Sequence, residues 1–331
     1  MLEAPADHVE RPAGDHRLMR SADRPRRTCL TVPGSSERFL AKARQTAADE
    51  VILDLEDSVA PGAKQQAREL VVAALAARWP ERRLLAVRVN GAVSPWAYRD
   101  VIDVAEHSGG RLDAIVLPKV SGPDHVVWLD LLLGQIEQAT DLEPGALAIE
   151  AQIEDAAGLA AAERIATASP RLAALIFGPA DFMASLAMRS LRIGAQPEDY
   201  AGGDAFHYPL MKILVAARSA GLQAIDGPYA AIGDIAGLRA ASASVAALGF
   251  DGKWVVHPDQ IAPVNAAFSP SQEDYDRAES ILDAYEHATE VQRRGAVMLG
   301  GEMIDEASRK LALTLAARGR AAGLTRSSAA P

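Results

Sequence analysis

Six carboxylates carry the first chemical signal. Asp54, Glu56 and Asp57 follow one short apolar run, and Glu154, Asp181 and Asp226 follow three others, with few basic residues close by in the chain. Anions gathered in one pocket cost free energy unless a cation neutralises them. A hard divalent ion would do so. Magnesium takes one or two protein carboxylates and leaves its other positions to water and substrate oxygens, which suits Glu154 and Asp181 on adjacent strands. The plainer alternative is that each acid caps a helix or pairs with a base; Asp57 and Asp181 both stand where N-caps would.

Arg88 ends another run, and its planar fork suits either a substrate carboxylate or a neighbouring acid. Lys119, after Pro118, raises the thought of a Schiff base. That chemistry needs a lysine of lowered pKa, and an anionic pocket raises it. His257, before Pro258, is a base, a ligand or a histidine bonding the backbone. The chain has neither a serine nucleophile elbow nor an HExxH motif, so hydrolase chemistry of those kinds has no support.

The elements that must position these groups are short and regular. Apolar runs at 29–32, 51–55, 84–89, 114–117, 147–153, 173–177, 222–225 and 254–256 are each followed by turn residues and then by a longer stretch with helical spacing, such as 64–77 and 156–168. Such runs read as strands buried on both faces of a parallel sheet, with helices as crossovers. Eight strand–helix units predict an α/β fold of the (β/α)8 TIM barrel type. A doubly wound sheet is the alternative, but no Gly-x-Gly-x-x-Gly follows the first run. In a barrel all of the polar run-ends converge on one rim.

Beyond the barrel, Ser271 opens a helix over 272–293, a loop carries Gly295, Gly300 and Gly301, and a second helix covers about 305–322. The expected division is a mobile extension at 1–27, a catalytic barrel at 28–268, a C-terminal helical lid at 269–324 and a frayed tail at 325–331. Arg26 and Arg27 abut the first strand. The 331 residues hold 34 basic and 44 acidic side chains, a net charge of −10, which gives no basic footprint for nucleic acid. No run is long enough for a membrane span, and residues 1–27 lack the apolar core of a signal peptide, so the expected compartment is the cytoplasm. The single cysteine, Cys29, excludes an internal disulfide and a cysteine-built zinc site.

Several segments resemble, in order and at compatible spacing, the citrate lyase β-subunit-like (HpcH/HpaI aldolase) superfamily, and within it the malyl-CoA and β-methylmalyl-CoA lyases. They are Val32-Pro33-Gly34-Ser35, Leu53-Asp54-Leu55-Glu56-Asp57-Ser58, Val87-Arg88-Val89-Asn90-Gly91, Leu117-Pro118-Lys119-Val120 and Ile153-Glu154-Asp155-Ala156-Ala157-Gly158. The similarity continues through Gly178-Pro179-Ala180-Asp181-Phe182, Ile225-Asp226-Gly227-Pro228 and Gly252-Lys253-Trp254-Val255-Val256-His257-Pro258. The resemblance implies a homotrimer or homohexamer of barrels that makes or breaks a carbon–carbon bond between an acyl-CoA thioester and a glyoxylate-like 2-oxo acid. It implies Mg²⁺, with Mn²⁺ as a substitute, held by Glu154 and Asp181, and Arg88 on the glyoxylate carboxylate. Lys42 would face the CoA phosphates, with Ala180, Ile225 and Asp226 as further substrate contacts and Asp54, Glu56 and Asp57 behind them. Gly301-Glu302-Met303-Ile304-Asp305-Glu306-Ala307-Ser308 matches the segment that closes over a neighbouring barrel, which makes Asp305 the acid/base at the acyl α-carbon, as well as a candidate helix N-cap.

The reaction implied is reversible cleavage of malyl-CoA or β-methylmalyl-CoA to glyoxylate plus acetyl-CoA or propionyl-CoA. Rival readings are a citramalyl-CoA lyase, a malyl-CoA thioesterase releasing free CoA, and a CoA-independent metal aldolase for which Asp305 is dispensable. A non-catalytic CoA-ester-binding subunit is the reading from a different class. Retention of Glu154, Asp181, Arg88 and Asp305 argues against it.

Overall fold

The computed structural model describes residues 24–80, 83–198 and 200–327. Eight parallel strands close into a barrel in sequence order, with the last pairing the first: β1 (Thr28–Pro33), β2 (Glu50–Asp54), β3 (Leu84–Arg88), β4 (Ala114–Leu117), β5 (Ala148–Ile153), β6 (Leu172–Phe177), β7 (Gln223–Asp226) and β8 (Gly252–Val255). Each lies on one of the apolar runs. Both strand faces are buried, one against the helices and one against the barrel interior, which is why the runs are continuous rather than alternating.

The helical layer comprises α1 (Glu37–Ala43), α2 (Lys64–Ala76), α3 (Ala97–His107), α4 (Pro123–Ala139), α5 (Ala156–Ala160), α6 (Ala162–Ala166), α7 (Pro179–Ser185), α8 (His207–Ser219), α9 (Ile235–Leu248) and α10 (Ile261–Ala267). The single helix expected over 156–168 is broken at Ala161, whose ψ of 6° ends α5 before α6 begins. The main core, including Val51, Leu53, Val71, Val87, Ile115, Leu129, Ile149 and Leu175, lies between strands and helices. A second, separate core fills the barrel with smaller residues: Cys29, Ala86, Ala114, Val116, Ala148, Ala174, Ile176 and Ile225, around the one large ring of Trp254.

The expected extension at 1–27 does not run up to β1. Arg26 is 1% exposed and enters the barrel from its N-terminal face, where its Nε lies 2.9 Å from Glu150 Oε1 and 3.4 Å from Glu50 Oε1 and its Nη1 lies 2.5 Å from Gln223. A side chain preceding the first strand can reach that face alone, so Arg26 becomes the floor of the barrel. The close pass requires Gly252, where a Cβ would stand 1.7 Å from the Arg26 carbonyl oxygen. Arg27 is held by Asp49 and Arg24 by Asp113. Residues 1–23 of that segment lie outside the described residues.

The C-terminal extension folds as α11 (Gln272–Glu286), a wide turn at His287–Val291, a hairpin of β9 (Val297–Leu299) and β10 (Glu302–Ile304), and α12 (Glu306–Ala321). The helix expected to reach 293 therefore stops at Glu286, and the glycine loop is a hairpin. Gly300 and Gly301 have φ of 56° and 86°, the positive pair that a tight hairpin turn demands. α11 and α12 pack through Tyr275, Ala278, Ala312 and Ala316, and Arg318 binds Asp251 at 2.8 Å just before β8. The extension thus docks at the N-terminal end of the barrel. The tail is not frayed at 325–327: the Thr325 carbonyl accepts from Gln272, Arg326 pairs with Asp283, and the Ser327 amide donates to Asp276. Residues 328–331 of that expected tail lie outside the described residues. Among the described residues no helix is long and apolar enough to cross a membrane.

Candidate active site at the C-terminal rim

The register between β2 and β3 sets Asp54 beside Arg88 at the C-terminal ends of both strands. Arg88 Nε and Nη2 lie 2.6 and 2.7 Å from the two Asp54 oxygens, and Nη1 lies 3.1 Å from Glu56 Oε2. Its guanidinium stands 5.1 Å from the centre of the Trp254 ring. Asp54 also accepts from the Glu56 amide and from the amide and hydroxyl of Ser58, which folds the loop after β2 around it. Burial alone would raise the Asp54 carboxyl, but Arg88 and these donors hold it below the ordinary aspartate value. A guanidinium has five N–H groups. Asp54 takes two of them and Glu56 faces a third, which leaves one on each Nη and bears out the reading of Arg88 as the partner of neighbouring acids.

The loop after β4 brings the second cation. Lys119 has a φ of 54°. Its amide donates to Glu154 Oε1 at 2.6 Å, while its ammonium reaches across the rim to Glu56, to Asp57 at 3.2 Å and to Asp181 at 3.9 Å. Burial would lower this lysine, yet Glu56 and Asp57 raise it well above its ordinary value, the opposite of what imine chemistry requires. Behind the loop Lys64 is buried, donating to the carbonyls of Leu55 and Glu56 and to Asn90, each at 2.7 Å.

Glu154 directly follows β5 and faces the mouth, where Gln152 Nε2 donates to its Oε2 at 2.8 Å. Its space depends on Gly178: a Cβ there would sit 2.5 Å from both Glu154 Cβ and Oε2. Burial, with Asp181 and Glu56 nearby, pushes the Glu154 carboxyl up to about 8. Asp181, in the first turn of α7, is 42% exposed at the mouth. Five rim carboxylates, Asp54, Glu56, Asp57, Glu154 and Asp181, therefore face three cations, Arg88, Lys119 and Lys64. With all five ionised the deficit is two positive charges, the charge of one divalent ion; the raised Glu154 carboxyl means that a proton meets part of that deficit when no ion is bound. Among the described residues no group of three or more His, Cys, Asp or Glu is arranged to hold a metal. An all-oxygen pair that leaves most positions to water and substrate is the donor set of a hard ion such as magnesium.

Other expected site residues fall elsewhere. Ile225 is fully buried in the interior core and is not available to a substrate. Asp226 follows it on the opposite face of β7, so it points toward the helices, where it pairs with buried Lys253 beside a cavity of about 50 Å³ lined by Phe177, Phe206, Leu210 and Val245. Lys42 is exposed in the last turn of α1 and belongs to none of the rim contacts. Ala180 is exposed next to Asp181. Neither Asp57 nor Asp181 is an N-cap; Asp155 caps α5, accepting from Gly158. His257 caps the short turn after β8 through Nδ1. Asp305 caps α12, accepting from the Ser308 amide at 3.0 Å, and among the described residues no hydrogen bond or ion pair joins it to its own rim.

Gln152 was not singled out from sequence, and Lys64, Asn90 and Gly178 were read only as motif or strand-end residues without a role. Gln152 was within reach, since two residues before Glu154 on a strand shares its face. Beside Glu56 and Asp57 the rim opens into a cleft of about 370 Å³ lined by Val59, Pro61, Asn90, Val93, Trp96 and Lys119.

Comparison with known proteins agrees with this architecture. Residues 27–258 match the HpcH/HpaI aldolase/citrate lyase family. The chain is 40% identical over 297 residues to the L-malyl-CoA/beta-methylmalyl-CoA lyase of Cereibacter sphaeroides (strain ATCC 17029 / ATH 2.4.9), covering 87% of this chain and 93% of that protein. It is 34% identical over 288 residues to the citrate lyase subunit beta of Escherichia coli (strain K12), covering 87% and 91%. The CitE protein of Mycobacterium tuberculosis, solved in complex with magnesium, acetoacetate and coenzyme A, superposes with a TM-score of 0.71 at 29% identity over 90% of this chain and 99% of that one. A citrate lyase from Burkholderia xenovorans LB400 shares the fold, with a TM-score of 0.77 at 20% identity over 92% and 94%. The chain belongs to the HpcH/HpaI aldolase/citrate lyase family.

Proposed function

We propose that the protein is a Mg²⁺-dependent CoA-ester lyase that reversibly cleaves malyl-CoA or β-methylmalyl-CoA to glyoxylate and acetyl-CoA or propionyl-CoA. The observation that carries this reading is the charge arrangement at the rim, Glu154 and Asp181 beside a preoriented Arg88, in a chain 40% identical to a malyl-CoA/beta-methylmalyl-CoA lyase. A divalent ion held by Glu154 and Asp181 would supply Lewis acidity at the oxygens of the malyl group.

The chain's own residues do the rest. Asp54 fixes the plane of Arg88, whose two remaining N–H groups take the substrate carboxylate and set the bond to be broken in one orientation. As the 2-hydroxyl gives up its proton to water at the open mouth, its oxygen becomes the aldehyde oxygen of glyoxylate and the carbon–carbon bonding pair passes into the thioester as an enolate. Asp305 delivers the proton to the enolate carbon, and in the condensing direction removes it from the acyl α-carbon. Because Asp305 lies on the segment docked at the N-terminal end of its own barrel, it serves a neighbouring subunit of a homotrimer or homohexamer, with residues 269–324 as the lid. The single, fully buried cysteine suits the cytoplasm.

The test is to incubate purified protein with malyl-CoA and Mg²⁺, with and without EDTA, and to assay glyoxylate and acetyl-CoA. Metal-dependent formation of both supports the reading. Free CoA with malate would replace it by a thioesterase. Activity on citramalyl-CoA alone, giving pyruvate, would move the substrate class.

A further inference from the structure

The Lys119 ammonium meets three rim carboxylates, Glu56, Asp57 and Asp181, and the proposed reaction gives it no task. Its left-handed backbone is one that lysine rarely adopts. That conformation turns its amide toward Glu154 at 2.6 Å, while the next amide, of Val120, rejoins β5 at the Gln152 carbonyl at 3.1 Å. The side chain is thereby aimed over the mouth rather than along the strand. There its ammonium meets Glu56, Asp57 and Asp181 and stays 42% exposed.

Glu56 is shared. One oxygen faces Lys119 and the other lies 3.1 Å from Arg88 Nη1. We propose that Lys119 is a positioning residue for the reaction: its ammonium holds Glu56 away from the substrate-facing N–H groups of Arg88 and tempers the negative charge at Asp181. The proposal rests on the lyase reading for the identity of the substrate, though its geometry does not. Without the ammonium, the nearest cation left to Glu56 is Arg88. The carboxylate then turns onto the N–H groups that a 2-oxo acid needs, so Glu56 acts as an internal competitor. At the same time a positive charge 3.9 Å from Asp181 is lost, and a cation bound there is repelled less.

Two readouts follow whose signs a purely structural lysine would not produce. In Lys119→Met, Mn²⁺ titrated alone, followed by calorimetry or electron paramagnetic resonance, should bind on the order of tenfold more tightly. Glyoxylate should bind about tenfold more weakly, and in the condensing direction its KM should rise by a similar factor while kcat changes by less than about threefold. Glu56→Gln in the Lys119→Met background should restore glyoxylate binding, because the competitor's charge is gone. Lys119→Arg should keep both affinities near those of the wild type, and it carries the test if the methionine variant does not fold. Weaker Mn²⁺ binding in Lys119→Met, unchanged glyoxylate affinity, or no rescue by Glu56→Gln would overturn the proposal. A wild type that turns over no CoA ester, with the Mn²⁺ and glyoxylate affinities still shifting as stated, would reject the lyase reading and leave the assignment of Lys119 standing.

Discussion

Asp54→Asn tests whether Arg88 is oriented by its bidentate partner. The exchange keeps the size of the side chain and one acceptor but removes the charge from a pair whose side chains are 9% and 1% exposed. Breaking a buried ion pair from one side costs about 3–5 kcal/mol, because the partner is left charged and desolvated. Glu56 still faces Arg88 at 3.1 Å and offsets part of that, so the lower end, about 3 kcal/mol, is expected. With an unfolding entropy of about 2 cal/mol/K per residue, this corresponds to a fall of about 4 °C in the melting temperature. Function should suffer separately. A guanidinium no longer clamped on its Nε side loses its fixed plane, and glyoxylate affinity should drop about tenfold while Mn²⁺ binding at Glu154 and Asp181 is retained. Calorimetric titrations and thermal melts on the same preparation measure all three. An Asp54→Asn protein that melts with the wild type and binds glyoxylate equally well would mean that stacking on Trp254, not Asp54, orients Arg88.

The remaining predictions concern packing, protons and the acid/base. Gly178→Ala puts a Cβ 2.5 Å from Glu154 Cβ and Oε2, so Mn²⁺ affinity should fall about tenfold or more with the fold retained; equal affinity in a titration would refute the contact. At the barrel floor, burial and the adjacent Glu50 hold the Glu150 carboxyl well above its ordinary value. Its contribution to stability is therefore fully present below about pH 4.5 and is lost, by up to about 1.4 kcal/mol per pH unit, as pH rises toward the folded-state value. Glu150→Gln should abolish that loss and gain on the wild type between pH 5 and pH 8 in denaturant unfolding; parallel pH dependences would reject it. Asp305→Asn keeps an N-cap acceptor for α12 but has no carboxyl group to take up and release a proton, so turnover should fall at least a hundredfold with metal and glyoxylate binding unchanged. Mixing it with inactive Glu154→Gln under conditions of subunit exchange should restore about a quarter of the sites if Asp305 acts across an interface, and none if it acts within one chain.

What could be read from the sequence followed from burial. The eight strands were legible because a parallel strand covered on both faces has to be a continuous apolar run, and 114–117 or 173–177 can hardly be anything else. The rim acids were legible because strand ends in a barrel converge. That Arg26 and Arg27 are held beside the first strand was legible, but the role of Arg26 as the floor was not, since a charged residue ahead of the strand looks the same whether it lies along the rim or plugs the barrel. Asp226 was misplaced because the approach of Lys253 to the outer face of β7 depends on register, which no local pattern carries. The hairpin at 297–304 was missed because three-residue strands with an exposed face give too short an alternation to stand out from a glycine loop. The left-handed turn at Lys119 has no signature either: a residue there is most often glycine or asparagine, and lysine gives no warning.

The barrel gathers acids at both ends, and accessibility decides what each end can do. At the floor Glu50 and Glu150 share Arg26, and both carboxylates and the guanidinium have side chains that are 0% exposed. No ion or substrate can be exchanged there, so the small, mobile charge able to settle the balance is a proton, and the raised Glu150 carboxyl is the form that takes. At the rim a similar surplus surrounds Glu154, but Asp181 and Lys119 are each 42% exposed and a cleft of about 370 Å³ leads in beside them. That surplus can be met by an exchangeable cation and its anionic ligand. Under the proposed function the net charge of −10 of the chain would therefore not oppose an anionic CoA ester at the mouth, because the ligand would meet Arg88, Lys119 and an ion held by the rim acids.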